Sequence, residues 1–132
     1  MVYLMNSAIN HIMRDYRTGE IKPIAPKPLD LLHCIVSEVN PRAPISIISG
    51  YRSPTTNAAL RKVTKGVPPK SLHMAGRAID MRIPGYCTSA IRPVAIQKEW
   101  GGVGYYPKSD FIHLDTGPVK YGQPFFGDIL AA

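Results

Sequence analysis

Ala78-Ile79-Asp80-Met81-Arg82-Ile83 and Phe111-Ile112-His113-Leu114-Asp115 decide the fold. Both alternate with the period of two that a half-buried strand requires. In the first, Ile79, Met81 and Ile83 share one face and Asp80 lies on the other. In the second, Ile112 and Leu114 share one face, while Phe111, His113 and Asp115 share the other. In a common sheet, Asp80 and His113 rise together from the face opposite the aliphatic one. His73 precedes Asp80 across a turn at Gly76, within Ser71-Leu72-His73-Met74-Ala75-Gly76-Arg77-Ala78-Ile79-Asp80. That loop can fold His73 back over the strand that carries Asp80.

The neighbouring elements follow from these strands. Val103 to Tyr106 and Phe111 to Asp115 form a hairpin across Pro107-Lys108-Ser109-Asp110. Ile45 to Ile48 reads as a further strand, closed by Gly50. Ile9, Ile12, Met13 and Tyr16 fall at helical spacing behind Asn6 or Ser7 as N-cap, and Arg17-Thr18-Gly19 ends that helix. Ile21 to Pro28 is an extended connector. A helix from about Pro28 buries Leu32, Ile35, Val36 and Val39 and stops at Asn40-Pro41. Ser53-Pro54 caps a short helix through Leu60, and Lys62 to Lys70 is a polar loop. Thr88 to Trp100 reads as helical, though Pro93 breaks it unless it lies in the first turn. The tail from Gly117 reads as irregular. The expected class is α+β, a small antiparallel sheet with flanking helices, in a single domain over residues 1–132.

Composition agrees. A chain of 132 residues, 45% hydrophobic and 19% charged, suits one soluble domain with a real core. Its 13 Pro and 11 Gly call for many turns. No apolar run reaches the roughly 20 residues of a membrane span. Met1 to Asn6 lacks the basic region and apolar core of a secretory signal. Cys34 and Cys87 do not have metal-pair spacing, and nothing supports a disulfide between them. The net charge of +7 attracts polyanions. Its basic residues are scattered, however, with no nucleic-acid motif and no regular aromatic series, so a solvated basic surface is the simpler reading.

His73, Asp80 and His113 together make a set of three ligands that leaves a fourth position open, the pattern of a catalytic rather than a structural zinc. The plainer alternatives are an Asp80 paired with Arg77 or Arg82 and a buried His113 bonded to Asp115. His11 and His33 lie in helical segments and read as ordinary surface or satisfied core histidines. A catalytic metal needs a base and a group that steadies an oxyanion. Asp110, three residues before His113, and Asp115, two after it, are the candidate bases. Asp115 can equally orient His113, and Asp110 can simply be a turn residue. Arg52, in the turn Ser49-Gly50-Tyr51-Arg52-Ser53, can hold a substrate carboxylate or an oxyanion, or can be a surface arginine.

At these residues the chain resembles the lysostaphin, D-Ala-D-Ala carboxypeptidase and hedgehog (LAS) group of zinc peptidases, and within it the murein endopeptidase K-like branch. The matching stretches are Arg14-Asp15-Tyr16-Arg17-Thr18-Gly19-Glu20, Ser49 to Asn57, His73 to Asp80, Gly101 to Pro107, and His113-Leu114-Asp115-Thr116-Gly117. The resemblance implies a small antiparallel sheet that carries Zn²⁺, with His73, Asp80 and His113 as ligands. It matches Arg52 to an arginine that polarises the scissile carbonyl. The wider group places its base where Asp110 stands, and the closer branch keeps the His-x-Asp pair of Asp115. It implies hydrolysis of peptidoglycan cross-links beside meso-diaminopimelate by an exported, periplasmic or envelope protein. Its partners are then peptidoglycan peptides, not nucleic acid or membrane, and it acts as a monomer. Two rival readings are a D,D-carboxypeptidase of the stem peptide and a wall-binding module without catalysis. A third, a basic nucleic-acid-binding domain, explains the charge but not the His and Asp pattern.

Overall fold

The computed structural model describes residues 2–42 and 44–121. Five strands form one sheet in the order β1-β2-β4-β3-β5: β1 Ser46–Ser49, β2 Ala78–Arg82, β3 Gly102–Tyr106, β4 Phe111–Asp115 and β5 Lys120–Tyr121. The β1–β2, β2–β4 and β3–β4 pairs are antiparallel. The β3–β5 pair is parallel, so the sheet is antiparallel except at one edge. That edge corrects part of the expectation of an irregular tail: Lys120–Tyr121 adds a short strand beside Gly102 and Val103. Residues 122–132 of that tail lie outside the described residues.

The alternation in β2 and β4 has the consequence anticipated for it. Ile79 faces Leu114, Met81 faces Ile112 and Asp80 faces His113 across the β2–β4 ladder. Ile79, Met81, Ile112 and Leu114 are fully buried, which stabilises the fold by about 1.5–3 kcal/mol for each side chain. The helices α2 (Pro26–Val39) and α4 (Thr88–Lys98) cover this face with Leu31, Leu32, Ile35, Ile91 and Ala95. The opposite face is left for Asp80 and His113.

Helix α2 begins two residues before the position read from sequence. Its prolines sit in the first turn, where a missing N–H costs nothing, and Asn40 ends it in the left-handed conformation with its N–H bonded to the Val36 carbonyl. Helix α3 (Pro54–Val63) starts as expected, with Ser53 Oγ accepting from Thr56 N at 3.2 Å, and runs three residues past Leu60.

Two helix readings are corrected. Helix α1 runs Val2–Ile12, so Asn6 and Ser7 lie inside it rather than at its cap, and it stops before Tyr16. The cause is Asp15, whose Oδ1 accepts from Arg17 N at 2.9 Å and Thr18 N at 3.2 Å. A short acidic side chain here offers the backbone a rival to the helical ladder. Met13 turns into the core, while Ile12 and Tyr16 are exposed. Helix α4 runs straight through Pro93. Pro93 and Ser89 both lie on the exposed face, so water can serve the Ser89 carbonyl that Pro93 cannot. Buried Ile91 and Ala95 hold the inner face against the sheet. Cys34 and Cys87 are free. No helix among the described residues is long and apolar enough to cross a membrane.

Candidate metal centre

Three side chains from two strands and one turn converge on the polar face of the sheet. His73 sits in a 3₁₀ turn, Leu72–Ala75, whose cap is Ser71 Oγ accepting from His73 N at 3.2 Å. Gly76 ends the turn at φ 68°, and a Cβ there would lie 2.8 Å from the Pro23 carbonyl, so both conformation and space require glycine. The turn brings His73 Nε2 to 3.2 Å from Asp80 Oδ1. From β4, His113 Nδ1 reaches the same Asp80 oxygen at 2.8 Å. The two rings meet edge to face with centroids 5.2 Å apart. One potential ligand atom from each of His73, Asp80 and His113 lies within 4.8 Å of the others.

Proton positions decide what this cluster can hold. His73 Nδ1 lies 2.7 Å from the Gly50 carbonyl. A carbonyl only accepts, so the proton of neutral His73 is on Nδ1 and the lone pair of Nε2 points at Asp80. His113 Nε2 lies 2.8 Å from Asp115 Oδ2. With its proton there, the Nδ1 lone pair of His113 also points at Asp80. In that tautomer three acceptors face one another, an arrangement suited to a cation. The donor set of two imidazoles and one carboxylate suits zinc. With a proton as the only available cation, burial opposes charging His113, but bonds to Asp115 and Asp80 outweigh it and raise its pKa to about 9. Burial likewise works against the Asp80 anion, yet in the absence of a metal the attraction of the two imidazoles and the hydrogen bond from His113 hold its carboxyl well below the ordinary range.

Asp115 is fixed on three sides. Its Oδ1 accepts from Gly102 N and Gly117 N, both at 2.9 Å, while Oδ2 faces His113. Burial alone would raise its pKa, but the His113 bond and the backbone N–H groups lower it to about 2. Arg52 is 7% exposed, with Nη1 donating to Asn57 Oδ1 at 3.3 Å. Burial pushes its pKa down and the Asp80 carboxylate opposes that shift.

Arg52, His73, Asp80, His113 and Asp115 all line one cavity of about 420 Å³. Asp110 does not line it. It sits in the β3–β4 turn at φ 57°, bonded to the Thr88 hydroxyl, with Arg82 Nη1 3.9 Å from Oδ2. Sequence reasoning did not anticipate the stacked Tyr106 and Phe111, 4.5 Å apart, which form one wall, or Lys70 and Lys120, which also line the cavity. The alternation that placed His113 also placed Phe111 on its face, so that wall was within reach of the strand argument.

Over residues 3–121 the chain matches the family described as peptidoglycan L,D-endopeptidase MepK. The chain belongs to this family. It is 46% identical over 113 residues to the peptidoglycan L,D-endopeptidase MepK of Escherichia coli strain K12, covering 86% of this chain and 62% of that protein. It is 41% identical over 117 residues to the probable peptidoglycan L,D-endopeptidase MepK of Haemophilus influenzae, covering 88% of this chain and 63% of that one. The chain therefore spans less than two thirds of the length of these MepK relatives. No solved structure matches it.

Proposed function

We propose that this chain is a zinc peptidase that cleaves peptide cross-links of peptidoglycan beside meso-diaminopimelate. On this reading His73 Nε2, the Asp80 carboxylate and His113 Nδ1 hold Zn²⁺ in one peptidase domain over residues 1–132. The carrying observation is the convergence of one ligand atom from each of His73, Asp80 and His113 within 4.8 Å of the others. The names of the relatives favour an endopeptidase over a D,D-carboxypeptidase. They also favour work in the periplasm or cell envelope. The domain works as a monomer on peptidoglycan peptides, with no role for nucleic acid.

Bound there, zinc supplies Lewis-acid polarisation of a carbonyl and a more acidic water. The chain's own groups do the rest. Gly50 and Asp115 hold the two imidazole protons away from the ligand atoms. Arg52, buried beside Asp80, presents a fixed positive charge to an oxygen that becomes anionic. Asp115 is the proton acceptor, because it lines the cavity and Asp110 does not. The apolar Val67, Leu72, Tyr106 and Phe111 exclude water around the bond, and Lys70 and Lys120 suit an anionic stem peptide.

The test is metal content by mass spectrometry together with digestion of purified peptidoglycan. Wild type is expected to carry about one zinc per chain and to release peptides. His73→Ala and Asp80→Ala are expected to lose the metal and roughly three orders of magnitude in activity, the several kcal/mol that a Lewis acid contributes. Cleavage by either variant at the wild-type rate refutes the ligand set. A wild type that binds peptidoglycan without cutting it supports the binding-module reading instead.

A further inference from the structure

The stretch Arg14–Glu20 has no part in the site described above, yet Asp15 within it is only 3% exposed. A buried carboxylate needs partners, and those of Asp15 lead to the site. Its Oδ1 accepts from Arg17 N and Thr18 N, and its Oδ2 accepts from Ser53 N at 2.8 Å. Ser53 follows Arg52 in the chain. Around Arg52, three successive backbone N–H groups are all engaged: Tyr51 N donates to the Met13 carbonyl at 2.7 Å, Arg52 N to the His73 carbonyl at 3.1 Å, and Ser53 N to Asp15. His73 is bonded to this segment a second time, through Nδ1 and the Gly50 carbonyl. The segment from Gly50 to Ser53 is thus clamped between the loop after α1 on one side and His73 on the other. Met13 grips it with a carbonyl that every residue has. Asp15 grips it with a side chain that few residues could replace.

We propose that Asp15 is a positioning residue whose carboxylate anchors Ser53 and thereby sets Arg52 and the ring of His73. The inference rests on the site reading above. A misplacement of about 1 Å in such a group can cost about a hundredfold in rate, and Asp15 also favours the Arg52 cation against the effect of burial.

The anion is well supported in place. Burial alone would raise the Asp15 pKa, but the N–H of Ser53 and the hydroxyls of Thr56 and Ser53 outweigh it and bring the value from 3.8 to about 2. The titratable groups around it are Arg17 and Glu20 on its own loop and Tyr51 and Arg52 beyond β1. A folded pKa below the unfolded one gives stability that is complete above about pH 4 and is lost as the pH falls through about 2. Asp15→Asn should flatten that part of the profile of Tm against pH.

The deciding experiment compares Asp15→Ala and Asp15→Asn with Val36→Ala, a substitution in α2 remote from the site. Each is titrated with Zn²⁺ alone and assayed on purified peptidoglycan well below its Tm. Asp15→Ala should weaken zinc binding about tenfold and lower kcat by about 10–100-fold, as loss of groups that orient metal ligands does. Asp15→Asn, which keeps an acceptor for Ser53, should recover part of both and decides the matter if Asp15→Ala does not fold. Val36→Ala should lower Tm and leave zinc affinity and kcat as in wild type. Zinc affinity and kcat at wild-type levels in a folded Asp15→Ala, or in Asp15→Asn where Asp15→Ala does not fold, overturn the inference alone. A wild type that neither binds zinc nor cleaves overturns the site reading and this inference with it.

Discussion

His73 and His113 face the same carboxylate oxygen but are held by different means. His73 comes from a turn, and its proton is fixed by a backbone carbonyl, Gly50, that is neutral. His113 comes from the middle of a strand, and its proton is fixed by Asp115, a carboxylate with an anionic charge of its own. The backbone solution fixes geometry with an acceptor that no side-chain replacement removes. The carboxylate solution fixes geometry and also makes the imidazole a stronger donor to whatever cation it meets. On the proposed reading the centre therefore pairs one ligand set by the shape of the chain with one tuned by charge, and only the second also supplies a proton acceptor.

Removing Asp115 should break this comparison most clearly. Asp115→Ala strips His113 Nε2 of its partner and leaves Gly102 N and Gly117 N unsatisfied. Zinc affinity should fall about 10–100-fold, and saturating zinc should refill the site. With the site refilled, kcat should stay about 10²–10⁴-fold below wild type, the usual contribution of a general base. Full recovery of kcat in excess zinc would reduce Asp115 to a group that merely orients His113.

Two glycines test the same contrast with smaller effects. A Cβ on Gly50 would lie 2.7 Å from the Met13 carbonyl and 2.8 Å from the Met13 Cβ, against parts that cannot swing away. A Cβ on Gly102 would lie 2.6 Å from Asp115 Oδ2. Gly50→Ala should therefore act on the backbone, destabilising by about 1–3 kcal/mol and displacing His73 with the segment that holds it. Gly102→Ala should displace a side chain, with less loss of Tm but a loss of zinc affinity resembling that of Asp115→Ala. Thermal melts beside zinc titrations distinguish the two. Equal effects of both substitutions on Tm and on zinc affinity would erase the distinction between the two histidines.

The parts of the fold legible in the sequence were those set by local periodicity. Alternation in β2 and β4 gave the face of Asp80 and of His113; their direct pairing is a matter of register, which alternation leaves open to steps of two residues. The Ser53-Pro54 start of α3 was legible because a cap is a local hydrogen bond. What escaped depended on partners distant in sequence or on solvent. The end of α1 is set by Asp15, whose other oxygen is bound to Ser53, 38 residues away. Pro93 is tolerated because that side of α4 faces water, which spacing alone does not show. The strand β5 exists only because β3 offers it an edge. Asp110 and Asp115 flank His113 so closely in sequence that order alone did not separate them. Their backbones do: Asp115 continues the strand, while the positive φ of Asp110 directs it to Thr88 and Arg82.

That last difference carries the smallest expected effect. Asp110 occupies the left-handed region, which asparagine adopts as readily as aspartate. Asp110→Asn keeps an oxygen for the Thr88 hydroxyl and gives up only a long contact with Arg82, at a carboxylate whose side chain is 57% exposed. Exposed ion pairs contribute about 0–1 kcal/mol, so stability should change by less than about 0.5 kcal/mol. Since Asp110 does not line the cavity, kcat/KM should stay within about twofold of wild type, a barrier change of less than about 0.5 kcal/mol. A loss of a hundredfold or more with zinc still bound would move the proton acceptor from the strand to the turn. Asp115 would then hold His113 as Gly50 holds His73, by orientation alone.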